Sequence, residues 1–197
     1  MRDGTFRDSF VDACEHGALT HESTGTTHCN SLEDISARAG GRITSKTITL
    51  TASGSPASVD VFTVTGPVVV MGLYGSFVDV TDVADIDALY LDIWDGTTAV
   101  EITDSAGVTC DGVTLGAVLA KTLVSTSPIT LLDADQVRLN EEASNKAFKP
   151  FILNAKNGVT NTIRCHYTSA AGCNAQIDWA LEWRCLNAAA LGNIVAA

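Results

Sequence analysis

The residues whose chemistry stands out first are cysteines and histidines near the N-terminus. Residues 13–30, ACEHGALTHESTGTTHCN, hold two of the six cysteines and three of the four histidines. Thiolates and imidazoles are the ligands that zinc prefers, and a structural zinc site needs four of them. The candidate zinc ligands are Cys14, His16, His28 and Cys29.

The spacing of these residues argues against a zinc site. Zinc-finger ligands come in pairs separated by a turn of about two to five residues. His28 and Cys29 are instead adjacent, so in an extended chain their side chains would point to opposite sides. We therefore predict that this segment binds no metal.

A second cluster of candidate ligands consists of carboxylates. Oxygen ligands of this kind suit calcium. The segment lacks the glycine-punctuated D-x-D-x-D-G pattern of a calcium-binding loop, so we predict a solvated acidic loop without a metal. The carboxylates are Asp79, Asp82, Asp85 and Asp87.

No sequence pattern indicates catalysis. The chain has no G-x-S-x-G turn, no phosphate-binding G-x-x-x-x-G-K and no dinucleotide fingerprint. The acid pairs at 133/135 and 141/142 have the residue type needed for glycoside hydrolysis, but nothing around them marks a substrate cleft. We therefore predict no catalytic residues, no cofactor and no enzymatic activity; a hydrolase on the same fold is the alternative left open.

The three tryptophans divide into core and surface candidates. Trp179 and Trp183 fall on the apolar side of one alternating segment and are predicted to be core residues. Trp94 stands between Asp92 and Asp95, just before a glycine turn. It is the candidate for contact with a ligand such as a carbohydrate.

Composition and charge exclude several classes of protein. Of the 197 residues, 46% are hydrophobic and 18% are charged, as in a folded globular chain, and the net charge is −11. No Lys/Arg stripe is present to neutralise phosphates, so nucleic-acid binding is disfavoured. There is no apolar run of membrane-spanning length and no secretory signal in MRDGTFRDSF, which predicts synthesis in a cytosol with reduced thiols.

Acidic residues are concentrated in the middle of the chain. No basic residue occurs between Lys46 and Lys121. This block is predicted to present an acidic, solvated face. Its acidic residues are Asp60, Asp79, Asp82, Asp85, Asp87, Asp92, Asp95, Glu101, Asp104 and Asp111.

Residues 1–42 are predicted to form an irregular N-terminal arm with one short helix. The segment GALTHESTGTTH is polar and has no period. After it, Ser31 is placed as a helix N-cap, and Gly40 and Gly41 end the helix. The arm has too little apolar material to fold alone, so it should dock on its own domain or on a neighbouring subunit.

From Ile43 onward the sequence alternates with period two. In AQIDWALEWRCL the apolar residues fall on one side, and TNTIRCHY alternates in the same way, so these segments are predicted to pair as a hairpin around SAAGCN. Cys165 should then face the core while His166 faces outward, so the two are not placed as a nucleophile and its base.

About ten short alternating segments predict an all-β fold. We expect an antiparallel β-sandwich, jelly-roll-like, over residues 43–185. An apolar tail at 186–197 follows, and it is expected either to pack on its own domain or to insert under a neighbour.

The pattern KTITLTASG…VDVFTVTGPVVV, ending in WALEWRCLNAAALGNIVAA, resembles small all-β virion structural proteins of tailed bacteriophages. The resemblance covers residues 43–197. It implies a non-enzymatic capsid decoration or head-fibre protein, or a tail or fibre module that binds host carbohydrate or a receptor. The implied partners are major capsid or tail proteins and further copies of the chain, as a trimer or ring, with no nucleic acid or membrane. The implied location is the virion, after synthesis in the host cytoplasm.

Overall fold

The computed structural model describes residues 18–23, 26–31, 41–82, 86–121, 129–132, 150–154, 160–186 and 193–197. The chain divides into two compact units, Met1–Arg42 and Ile43–Ala197. All regular structure in the described residues is β-strand, so the all-β prediction is confirmed.

The first unit contains an antiparallel strand pair. Strands β1 (Ala18–Ser23) and β2 (Thr26–Ser31) pair from Ala18↔Ser31 to Ser23↔Thr26. The prediction of an irregular arm is therefore wrong for these residues, because threonine-rich segments favour strands as well as loops. Ser31, the predicted helix N-cap, ends β2, and the rest of the predicted helix lies outside the described residues.

The second unit is a nine-stranded sheet. The strands are β3 (Arg42–Thr65), β4 (Pro67–Asp82), β5 (Asp87–Trp94), β6 (Ala99–Glu101), β7 (Val118–Lys121), β8 (Ile129–Leu132), β9 (Phe151–Asn154), β10 (Asn161–Cys185) and β11 (Asn193–Ala196). The central strand order is β11-β3-β10-β4-β7-β8. In addition, β5 pairs with β10, β6 with β5 and β9 with β4, and every described register is antiparallel.

Two very long strands make the sheet curl. Fourteen extended residues span about 46 Å, yet Lys46 Nζ hydrogen bonds to the carbonyl oxygen of Asp60, 2.9 Å away in the same strand β3. In β10 the indole of Trp179 similarly lies beside the thiol of Cys165. Both strands therefore fold back so that their two halves face each other, which gives an antiparallel curled sheet, a half-barrel.

The predicted hairpin at 161–185 is wrong in one respect. Every residue from Asn161 to Cys185 is in strand conformation, including SAAGCN, so the expected turn is a bend inside one strand. Gly172 lies in this bend with a φ of +98°, which a residue with a Cβ adopts only at a cost. The sheet is accordingly one curled sheet in the described residues, and the finer jelly-roll prediction is not confirmed.

The core lies on the concave face of the curled sheet. Alternate residues of β10 point inward, and Trp179, Trp183 and Cys165 are at most 1% exposed, so the prediction that both tryptophans are core residues is confirmed. Ile194 of β11 is buried as well and pairs with Val64. Of the two alternatives for the tail, packing on its own domain is therefore the one found for residues 193–196.

Candidate functional site

The most specific side-chain arrangement lies on the convex face, where β5 pairs with the N-terminal half of β10. The register sets Tyr90 opposite His166 and Asp92 opposite Arg164. Because paired residues of an antiparallel ladder share a face, these four side chains and Trp94 lie together on the outside. We call Tyr90, Asp92, Trp94, Arg164 and His166 the outer-face ladder.

Asp92 is the centre of the outer-face ladder. Its side chain accepts two hydrogen bonds from Arg164, from Nε to Oδ1 at 3.0 Å and from Nη2 to Oδ2 at 2.6 Å. His166 Nε2 lies 2.9 Å from the same Oδ2, but the ring N–H is not aligned as a full hydrogen bond, so we treat this as an electrostatic contact. Asp92 is only 3% exposed, so among the acidic residues whose burial is described it departs from the predicted solvated acidic face.

The electrostatics of Asp92 follow from these contacts. Burial acts to raise the pKa of its carboxyl, but the contacts from His166 and Arg164 outweigh burial and hold the pKa below its ordinary value. The pKa of Arg164 is raised, mainly by its hydrogen bonds to Asp92. Burial, with the Asp92 charge as a smaller cause, raises the pKa of Tyr90.

Aromatic rings flank the ion pair on both sides. The rings of Tyr90 and His166 stack with centroids 4.5 Å apart and planes 8° from parallel. The guanidinium of Arg164 lies 4.4 Å from the ring centroid of Trp94, a cation–π contact. Trp94, which the sequence predicts as a ligand contact, is half-buried, and its ring already packs against the Arg164 guanidinium.

The outer-face ladder is suited to holding strands together and to presenting an aromatic surface. In catalytic sites an Asp can orient a His that acts as a general base, and that base needs a nucleophile or a substrate within reach. Cys165 faces the core, as predicted, and burial raises the pKa of its thiol. The nearby Trp179 indole acts weakly in the opposite direction, and it is not aligned for a normal hydrogen bond. Burial also raises the pKa of Cys110, to about 12, so both thiols are poor nucleophiles.

A second surface feature is a cleft of about 350 Å³ at one end of the unit. It is lined by the end of β5, the turn to β6, β6 itself, β9 and the first residue of β10. The described residues that line it are Ile93, Asp95, Thr98, Val100, Ile152, Leu153, Asn154 and Asn161. Nothing in the sequence pattern singled out this cleft, because it depends on how distant strands meet.

The candidate zinc ligands fall in the first unit. His28 and Cys29 are in β2, opposite His21 and Thr20 respectively, while Cys14 and His16 lie outside the described residues.

The candidate calcium ligands are only partly described. Asp79 is in β4 opposite Gln176, and Asp87 at the start of β5 accepts a hydrogen bond from Thr109 Oγ1 at 2.7 Å. Asp82 ends β4, and Asp85 lies outside the described residues. Within the part of the chain that the structure describes, no three His, Cys, Asp or Glu side chains gather to hold a metal ion.

The chain was also compared with known proteins. No protein-family model matches it, and neither a curated protein nor a solved structure matches it significantly. The described residues contain no helix of the length and apolarity needed to cross a bilayer.

Proposed function

We propose that this chain is a non-enzymatic structural protein of a tailed-bacteriophage virion, most simply a capsid decoration or head-fibre component. Residues 1–42 attach it to the particle, and residues 43–197 form the body that the particle displays. Its partners are the major capsid or tail proteins and further copies of itself in a trimer or ring.

The observation that carries this proposal is the division of the chain into two units. The described core cluster, from Ile48 to Ile194, lies within the second unit. We infer that the first unit, residues 1–42, is the segment that contacts another protein. A rigid body with a separate attachment segment suits a protein that binds many times to a repeated lattice and gains by avidity.

The charge distribution supports an outward-facing position. Asp60, Asp87, Glu101 and Asp111 are exposed, in a molecule whose net charge is −11. Such a surface is repelled by packaged DNA and suits the exterior of a particle. The resemblance of residues 43–197 to phage virion proteins points the same way.

The finer architecture belongs to the same proposal. Long strands that double back over a shared core bring two layers of strand face to face, as in a β-sandwich. We infer that the complete second unit has this two-layered form.

Particle association tests the virion assignment. Purified virions of the phage that encodes the chain should contain it in many copies, and particles lacking it should take up the added full-length chain but not residues 43–197. A chain of residues 18–197, which keeps β1 and β2, is a truncation of intermediate length between these two. Absence from purified virions, or full occupancy by residues 43–197, would contradict the proposal.

A second candidate function is a tail or fibre module that binds host carbohydrate or a receptor through Trp94. The observation in its favour is that Trp94 lies half-buried on the convex face beside an arginine. Glycan-array binding that is lost in Trp94→Ala and kept in Trp94→Phe would support it. Retention of all binding in Trp94→Ala would count against it.

A further inference from the structure

The cleft at the end of the second unit has the features of a small-molecule site. Its volume of about 350 Å³ falls near the lower bound of ligand pockets, roughly 300–1,000 Å³. It lies between the β5–β6 tip and β9, apart from the outer-face ladder, because Ile93 precedes Trp94 in β5 and so points to the opposite face. A site here would therefore be distinct from one at Trp94.

Two exposed apolar side chains converge in this cleft. Val100 is 60% exposed and Ile152 is 57% exposed, and both line it together with Ile93 and Leu153. Apolar side chains left in water within a concave surface mark binding sites more often than isolated apolar residues do. They provide a surface for the C–H face of a bound molecule.

Polar groups at the cleft are held in fixed positions. Asp95 Oδ1 accepts hydrogen bonds from the backbone N–H groups of Thr97 at 2.9 Å and Thr98 at 2.6 Å. The backbone N–H of Asp95 in turn donates to the carbonyl oxygen of Thr98 at 3.1 Å. These bonds fix the Asp95 carboxylate and the backbone at Thr98 before anything binds, which lowers the entropic cost of binding.

The side chains at the cleft favour a neutral polyhydroxyl compound. Thr98 and Asn154 are exposed at the cleft and offer a hydroxyl and an amide, which pair with hydroxyls as donors and acceptors. None of its eight described lining residues is basic, and Asp95 is acidic, so these residues favour a neutral compound over a carboxylated or phosphorylated one. An apolar floor with a hydrogen-bonding rim matches the two kinds of surface on a sugar ring.

We propose that this cleft binds a neutral sugar residue, stacked on Ile152 and Val100 and hydrogen-bonded by Thr98 and Asn154. The proposal is independent of the virion assignment. It shares with the receptor-binding alternative only the class of compound bound, and it places that compound at a different site.

The experiment is a titration of the full chain, followed by NMR chemical shifts, with neutral sugars (glucose, galactose, mannose and N-acetylglucosamine). Sialic acid and glucuronic acid form the anionic arm. At least one neutral sugar should shift the cleft residues saturably, while the acids should not. Ile152→Asn should weaken that binding about tenfold and Asn154→Ala several-fold, because each removes one contact.

The matched control is Leu115→Asn, which makes the same kind of change at a side chain that is 62% exposed and outside the cleft. It should leave sugar affinity unchanged. Far-UV circular dichroism checks that each variant folds. Saturable shifts at Trp94 in place of the cleft, tighter binding of the acids, no saturable shift with any neutral sugar, or unchanged affinity in Ile152→Asn would each overturn the proposal.

Discussion

At the scale of single residues, the ion pair of Asp92 and Arg164 ties together two segments that are distant in the chain. Paired residues of β5 and β10 are 68 or more positions apart, and their register is set by tertiary pairing. Alternation in ALYLDIW and in TNTIRCHY predicts that Asp92 and Arg164 point outward. It does not predict that the two segments are partners, so the burial of Asp92 follows only from the structure.

Replacing Asp92 by Asn should destabilise the protein by about 1–3 kcal/mol near neutral pH. The change removes the charge that Arg164 and His166 face in a nearly buried position. Chemical denaturation of the wild type and the variant measures the difference. Glu101→Gln is the control, because Glu101 is exposed and lies opposite Asp92 on β6; a loss as large as that in Asp92→Asn would contradict this account.

The stability difference between wild type and Asp92→Asn should also depend on pH. The folded pKa of Asp92 is below the unfolded value of about 3.9, so the carboxylate contributes stability above that value. This contribution is lost as the pH falls through the folded pKa. The stability difference between wild type and Asp92→Asn should therefore shrink as the pH falls below about 4. A difference that grows on acidification would show the opposite linkage.

Close packing in the core makes Gly75 a second critical residue. A Cβ on Gly75 would lie 2.9 Å from the Cε3 and Cζ3 atoms of Trp179 and 3.1 Å from Ile177 Cγ2. Gly75→Ala should thus destabilise by about 1–3 kcal/mol through overpacking. Gly54→Ala is the control, since nothing lies within 4 Å of a Cβ there. Equal melting temperatures for the two variants would show that Trp179 can move aside.

At the scale of elements, alternation predicted the strands but not where they continue. SGSPAS at 53–58 and SAAGCN at 169–174 have turn composition, yet both lie inside uninterrupted strands. Glycine, serine and proline clusters break a strand only when the chain must reverse there. In these two places they permit a bend within the strand. Whether such a cluster forms a turn or a bend depends on how the sheet closes over its core, and the local sequence does not encode that closure.

The bend in β10 should depend on Gly172. Its φ of +98° is costly for any residue with a Cβ, so Gly172→Ala should destabilise by about 1–2 kcal/mol although the position is exposed. Asn174→Ala, two residues away and also exposed, has no such conformation and should change stability by less than about 0.5 kcal/mol. Melting temperatures distinguish the two. An unaffected Gly172→Ala variant would mean that the backbone relaxes without opening the curl.

At the scale of the whole molecule, the buried residues predict where the cooperative unit begins. The core cluster extends from Ile48 to Ile194 and includes Trp179, Trp183 and Phe62, each at most 1% exposed. Truncating any one of these to alanine would cost about 3–5 kcal/mol, so stability is concentrated there. The boundary between the two units at Arg42 and Ile43 leaves all of this core on one side.

A chain of residues 43–197 should therefore fold by itself. It keeps the whole described core cluster and all of β4 to β11, and it loses only Arg42 from β3. We expect one cooperative thermal transition within a few degrees of the full-length chain, dispersed NMR amide resonances and an unchanged pH dependence around Asp92. The chain starting at residue 18 is the control for effects of length alone. Aggregation or a non-cooperative transition in residues 43–197, with normal folding from residue 18, would mean that residues 18–42 complete the core. Residues 1–42 could then not serve mainly as an attachment segment.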